Sequence, residues 1–232
     1  MSLLTFDQSF NTPYLIGVDE VGRGPLAGPV VACAVHIPPT LWQQSWLQEL
    51  GDSKKLSPAK RQKLYTIITT HCPYAVTQSS VAEIEQLNIL QASLLAMQRA
   101  ITQLLPQVPQ ANLALIDGNR LPKDLPLPAQ SVVKGDAKSA HIAAASIVAK
   151  VWRDTHMAEL ATQYPAYGWA QNAGYGTKQH LVALVAHGIT PHHRLGFAPV
   201  ADAALAKIVI ERSNIIAPTY THEEAWLPLA KP

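Results

Sequence analysis

Carboxylates stand beside glycine at the ends of three apolar runs in this chain: Asp19-Glu20 ahead of Gly22-Arg23-Gly24, Asp117 ahead of Gly118, and Asp136 after Gly135. An ionised carboxylate taken out of water without a partner costs several kcal/mol, so acids in such places need a cation, hydrogen bonds or a proton. No Lys or Arg lies within two positions of Asp19, and Arg23 follows only beyond a glycine, where its guanidinium could equally face a ligand phosphate. If the four acids converge, they offer hard oxygen ligands without a thiolate or a spaced His pair, a set suited to Mg²⁺ or Mn²⁺ rather than zinc. Two such ions permit in-line phosphoryl displacement, one activating the attacking water and the other stabilising the leaving oxygen, with one carboxylate bridging both. Neighbours on a regular strand point to opposite faces, so Asp19 and Glu20 are expected to share a site only if the strand ends or bulges there. Taken singly, Asp117 or Asp136 reads as a turn-former; the placement they share sets them apart from Asp52 and Asp124, which lie in polar or Pro-rich loops and receive no role.

The elements that must position these acids follow from periodicity. Residues 14–21 and 29–37 read as two strands joined by the glycine-rich loop, and 74–81 as a weaker strand. Ser57-Pro58 signals a helix start. Residues 84–105 carry Leu87, Leu90, Leu94, Met97 and Ile101 at three-and-four spacing, predicting one long amphipathic helix whose Met and Leu stripe is core. Residues 113–117 and 130–134 read as buried strands, 139–154 as an alanine-rich, closely packed helix, and 177–187 as a helix capped by Thr177 and closed by Gly188. Strands first in a meander and later alternating with helices predict an α/β fold, a mixed sheet flanked by helices. After Val200 a helix is expected, then an irregular tail to residue 232 of unassigned role.

Composition bounds the alternatives. At 232 residues, 48% hydrophobic and 15% charged, the chain suits one folded domain with an appendage and excludes disorder. A net charge of +2 neither demands nor excludes a polyanionic partner. Two cysteines without a CxxC pair exclude a disulfide scaffold and a zinc ribbon. No leader pattern and no membrane-length apolar run occur, which makes a cytoplasmic protein the expectation. Lys54, Lys55, Lys60, Arg61 and Lys63 form the one basic cluster, opposed locally by Asp52 alone. Lys54 and Lys55, ahead of the helix, are candidates for tracking a phosphate backbone. His192-His193 reads as polar surface, with a structural role left open for His193, and Cys33 reads as an inert core residue.

The segment Asp19-Glu20-Val21-Gly22-Arg23-Gly24-Pro25-Leu26-Ala27-Gly28-Pro29-Val30 closely resembles the opening of the type 2 ribonucleases H, specifically ribonuclease HII. Later motifs are similar in the same order: Asp52-Ser53-Lys54-Lys55-Leu56-Ser57, Ile116-Asp117-Gly118-Asn119, Lys134-Gly135-Asp136-Ala137-Lys138-Ser139, Gly174-Tyr175-Gly176-Thr177, His193-Arg194 and Phe197-Ala198-Pro199-Val200. The resemblance runs over about residues 14–200. It implies a ribonuclease H-like catalytic domain there and a separate C-terminal part over 201–232.

The activity so implied is endonucleolytic cleavage of RNA in RNA/DNA hybrids. It extends to incision 5′ of single ribonucleotides in duplex DNA, leaving a 3′-hydroxyl and a 5′-phosphate. The family's four acids map onto Asp19, as bridging ligand, Glu20 and Asp117, as further ligands, and Asp136, as either a ligand or an aid to the attacking water, with Mg²⁺ or Mn²⁺ as cofactor. The family's GRG main chain, which reads the 2′-hydroxyl, maps onto Gly22, Arg23 and Gly24, and the tyrosine that packs on the following sugar onto Tyr175. Reading one 2′-hydroxyl requires close approach of donors and acceptors, which glycines permit. By the same resemblance the protein is expected to be a monomer.

Two rivals fare worse on the residues. A dinucleotide-binding loop needs a helix to open at the glycines, yet Pro29-Val30-Val31 begins a strand, and no Gly-Lys-Ser/Thr ends the loop. A non-catalytic hybrid binder is expected to have lost an acid, and all four are present. Within the family, ribonuclease HIII carries an added N-terminal substrate-binding domain, for which the stretch before Tyr14 is expected to be too short.

Overall fold

A computed structural model describes residues 2–206 of the chain. Five strands form one mixed sheet in the order β3-β2-β1-β4-β5. β1 (Leu15–Val21), β2 (Val30–Val35) and β3 (Tyr74–Ser79) pair antiparallel as the expected meander. β4 (Leu113–Asp117) and β5 (Ala129–Val132) run parallel to β1 on its other side. Every residue of β2 is buried, as a strand covered on both faces requires.

On one face lies α5 (Ala140–Gln163), the alanine-rich helix, backed by α2 (Pro58–His71) and joined by the short α1 (Leu3–Gln8). Alternate strand residues Val21, Val31, Cys33 and Val35 pack there against Leu64, Ile68 and the alanines of α5. On the other face α4 (Ile89–Leu104) meets Ile16, Val18, Ala32, Ala34, Ala114 and Ile116. α5 presses so closely on β1 that a Cβ on Gly17 would lie 2.1 Å from the His141 carbonyl carbon. Small residues on both sides make that approach possible.

The single helix expected over 84–105 is two. α3 (Val81–Leu87) opens on a capping box between Ser80 and Glu83. It stops at Asn88, whose φ of 68° takes it out of the helix and whose side chain accepts the Leu90 and Gln91 N–H groups to start α4. An Asn at a helix N-cap is a local competitor for those donors, and here it wins. β5 ends two residues short of the expected strand because Lys134 turns left-handed at φ 57°. α5 runs past Asp154 to Gln163, with Pro165 beyond it. After α6 (Trp169–Asn172) and α7 (Lys178–His187), residues 198–206 are helical, which matches the start of the expected C-terminal helix; the rest of it and the tail lie outside the described residues. Among the described residues no helix is long and apolar enough to cross a membrane.

Candidate active site

β1 carries Asp19 and Glu20, and β4 ends on Asp117. Ligand oxygens of these three acids lie within 4.8 Å of one another. The strand neither ends nor bulges at Asp19-Glu20, contrary to the expectation: pairing with β2 continues through Glu20–Ala32 and Val21–Val31. It is β4 that stops. The last β1–β4 pair is Val18 with Ile116, so Asp117 closes its strand beside Asp19, and Glu20 lies past the end of the neighbouring strand. With no backbone alongside, the Glu20 carboxylate reaches the other two although its Cβ starts from the opposite face.

Two of the three are held by backbone donors. The Glu20 N–H donates to Asp19 Oδ1 at 2.7 Å, and the Gly135 N–H donates to Asp117 Oδ1 at 2.6 Å. Asp19 is only 5% exposed. Burial pushes its carboxyl well above the usual range, and the charges of Glu20 and Asp117 add to the rise, while the Ser146 hydroxyl and the Glu20 N–H oppose it. Burial also raises Glu20, against the pull of the Arg23 guanidinium 3.5 Å from its Oε1. Crowded, partly desolvated oxygens with one half-exposed cation among them suit a hard divalent ion better than they suit each other.

Asp136 stands outside the group of three. It sits on a single 3₁₀ turn, Gly135–Ala137, one residue from the N–H that orients Asp117. Burial raises its carboxyl, the charges of Asp117 and Asp52 raise it further, and Lys54 pulls it down. The fourth acid therefore borders the centre without sharing its oxygens' close spacing. Beside Glu20 and Asp117 opens a cleft of about 290 Å³ lined by Leu90, Leu94 and Met97, with Arg23 and Arg120.

The loop after β1 forms the next wall. Gly22 takes φ 94°, and a Cβ there would meet Arg153 Nε at 2.2 Å, so both conformation and space demand glycine. The Tyr175 ring, 39% exposed, stands 3.5 Å from where a Cβ on Gly24 would project. Gly22, Arg23, Gly24 and Tyr175 thus come together at one side of the acids, through the Leu26 N–H to Gly174 carbonyl bond of 2.8 Å.

The basic cluster is not a single free patch. Lys60 and Lys63 reach Glu49 at 3.8 and 3.1 Å, an acid distant enough in sequence to escape a local reading. Arg61 is used to hold the Ser53 carbonyl at 2.7 Å. Lys54 and Lys55 remain toward solvent. Asp52 lies 3.6 Å from the 83% exposed Lys55 amine and also accepts the Lys54 N–H. Their loop is anchored by the buried Ser53 hydroxyl, 3.0 Å from Ser146 on α5.

His193 takes the structural alternative left open for it rather than the surface one: it is 3% exposed, inside an aromatic cluster with Tyr167, Trp169 and His180. Burial, aided by His180, lowers it to about 4. Cys33 is fully buried, as expected, and its thiol is pushed up by burial. Two residues that sequence reasoning assigned no role are the buried Arg153 and Arg194, which bond the loop's carbonyls from below. Both lie in stretches that resemble the family's motifs, Arg153 within residues 142–154 and Arg194 in His193-Arg194, a signal that marks them without identifying their partners.

The ribonuclease HII family model matches residues 16–200. Ribonuclease HII of Rhodospirillum rubrum is 54% identical over 207 residues, covering 88% of this chain and 93% of that protein. Among solved structures, ribonuclease H2 of Pyrococcus horikoshii OT3 superposes with a TM-score of 0.68 at 24% identity, over 83% of this chain and 97% of that one. Bst-RNase HIII in complex with Mn²⁺ superposes with a TM-score of 0.65 at 20% identity, over 83% of this chain and 69% of that one. The fold is thus ribonuclease H-like, and with an acidic centre at its strand ends and a family match across the whole sheet, this chain belongs to the ribonuclease HII family and is a ribonuclease H-type nuclease.

Proposed function

We propose that this enzyme, which cleaves the RNA strand of RNA/DNA hybrids, also incises duplex DNA on the 5′ side of a single ribonucleotide, leaving a 3′-hydroxyl and a 5′-phosphate. The observation that carries the proposal is the juxtaposition of Gly24 and Tyr175 beside the acids, 3.5 Å from ring to projected Cβ. A ribonucleotide seated there meets main-chain groups of residues 22–24 at its 2′-position, while the following deoxyribose rests on the tyrosine ring. Recognition then needs one 2′-hydroxyl and no run of RNA.

Asp19, Glu20 and Asp117 would hold divalent ions, Mg²⁺ or Mn²⁺, two during the reaction; the Mn²⁺ complex of Bst-RNase HIII, a protein of the same fold, supports that choice. Such ions, when bound, lower the pKa of the attacking water and stabilise the leaving oxygen. Asp19, the most buried of the acids, would be the ligand that the ions share. Asp136, more exposed and offset, would serve as a further ligand or aid the attacking water. Lys54 and Lys55 would contact the phosphate backbone, and the enzyme would act as a monomer in the cytoplasm.

The test is cleavage of end-labelled duplex DNA with one internal ribonucleotide, in Mg²⁺ or Mn²⁺, beside an all-DNA duplex and an Asp19→Asn control. A single metal-dependent cut 5′ of the ribonucleotide, absent from both controls, is the expected result. A folded enzyme that cuts long hybrids and leaves the single ribonucleotide intact would overturn the proposal.

A further inference from the structure

Residues 22–29 rest on two fully buried arginines, Arg153 and Arg194. Among the described residues neither takes part in an ion pair. All their bonds go to backbone carbonyls. Arg194 donates from Nη2 to Gly22 at 2.7 Å, from Nη1 to Arg23 at 3.1 Å and from Nε to Gly28 at 2.9 Å. Arg153 serves a different set, Pro29 at 3.0 Å, Ala173 at 2.9 Å and Ala27 at 3.0 Å. Burying a guanidinium without a counter-ion is costly, whereas carbonyls on a surface loop would be hydrated without help. The arrangement therefore does something for the loop that hydration does not.

What it does lies on the opposite side of each peptide. Among the described residues no peptide bond is cis, and in a trans peptide the carbonyl of one residue and the N–H of the next point in opposite directions. Turning the Gly22 and Arg23 carbonyls inward to Arg194 turns the N–H groups of Arg23 and Gly24 outward. Among the described residues neither N–H has an acceptor, and the Tyr175 ring stands alongside. A carbonyl bound to a buried cation also polarises its peptide, which strengthens the N–H as a donor.

We infer that Arg194 is the positioning residue of ribonucleotide recognition: by gripping the Gly22 and Arg23 carbonyls it fixes the Arg23 and Gly24 N–H groups as a pair of donors aimed at the 2′-oxygen. The inference rests on the reading of residues 22–24 given above. Arg194 touches no substrate; it acts through two peptides. Lysine keeps the charge but cannot form the three-way fork.

The experiment measures binding, with Ca²⁺ as the metal, to two duplexes that differ only in one 2′-hydroxyl. The wild-type enzyme should prefer the ribonucleotide duplex. Arg194→Lys should lose that preference by about tenfold, the worth of two neutral hydrogen bonds, with affinity for the all-DNA duplex unchanged. A folded Arg194→Lys that keeps the preference overturns the inference, and so does a parallel loss on both duplexes, which would make Arg194 only a structural support. A wild type without any preference overturns the underlying reading of the loop, and the inference with it. A second measurement needs no variant: in the wild-type protein the amide proton resonances of Arg23 and Gly24 should move downfield on the ribonucleotide duplex and stay in place on the all-DNA duplex. Equal movement on both would assign these donors to a phosphate and overturn the inference.

Discussion

The Asp117 carboxylate and the Gly135 N–H are joined at 2.6 Å, so the acid at the end of β4 is oriented by the turn that carries Asp136. The fourth acid and the third are mechanically one unit. A change in the turn at 135–137 should be felt at the centre even where Asp136 is untouched, whereas Asp19 and Glu20 are fixed independently by β1.

Asp19→Asn should abolish cleavage by about a thousandfold or more, the scale of several kcal/mol of metal-held charge. The same change should stabilise the metal-free fold by about 2–5 °C, because a buried charge repelled by Glu20 and Asp117 has been removed. Thermal melts in chelator, beside the cleavage assay, check both halves; a variant that melts lower than wild type would contradict the electrostatic account.

Mn²⁺ should raise the melting temperature of the wild type, since an ion that binds only the folded state stabilises it by mass action. The rise should shrink sharply in Asp19→Asn and persist in a Lys54→Ala, Lys55→Ala double variant. Titrating the metal during thermal melts reads the difference without any substrate present.

Salt dependence tests the two exposed lysines. If both neutralise phosphates, the double alanine variant should flatten the slope of log affinity against log salt by about 1.8 on duplex DNA. An unchanged slope would mean that Asp52, 3.6 Å from the Lys55 amine, is their only electrostatic partner.

His193 sets a limit at acid pH. Burial lowers it from 6.5 to about 4, so between these values the unfolded chain binds a proton that the folded one refuses. Its contribution is complete above about pH 6.5 and is lost progressively as pH falls toward 4, amounting at most to about 3 kcal/mol. The raised carboxyls of Asp19 and Glu20 act with opposite sign, their mutual repulsion easing as they take up protons. Urea midpoints against pH for wild type minus His193→Asn isolate the histidine: the difference should shrink from pH 6.5 toward 4, and a flat one would refute the assignment.

Gly17→Val should destabilise by about 3 kcal/mol or more, because the new side chain overlaps the His141 backbone at 2.1 Å and β1 cannot retreat without moving Asp19. Urea unfolding measures the loss.

Periodicity and glycine placement made the sheet, its meander and the acids at strand ends legible in the sequence. β1 and β4 are short apolar runs, and the junctions where they end are visible in one dimension. Asn88 was misread because a single capping residue interrupts an apolar stripe that continues on both sides of it. Glu49 was missed as the partner of Lys60 and Lys63 because ion pairs across a loop leave no local spacing. The choice between surface and structural roles for His193 stayed open in the sequence, since its surroundings are assembled from α6, α7 and the chain after them. Arg194 was unassignable for the same reason: its acceptors lie more than 160 positions away.

That distance also sets an order of events during synthesis. The chain presents Asp19, Glu20, Asp117 and Asp136 well before residue 194 exists, yet the carbonyls of Gly22, Arg23 and Gly28 have no guanidinium to hold them until it does. A growing polypeptide thus has its acids well before the guanidinium that holds the loop beside them.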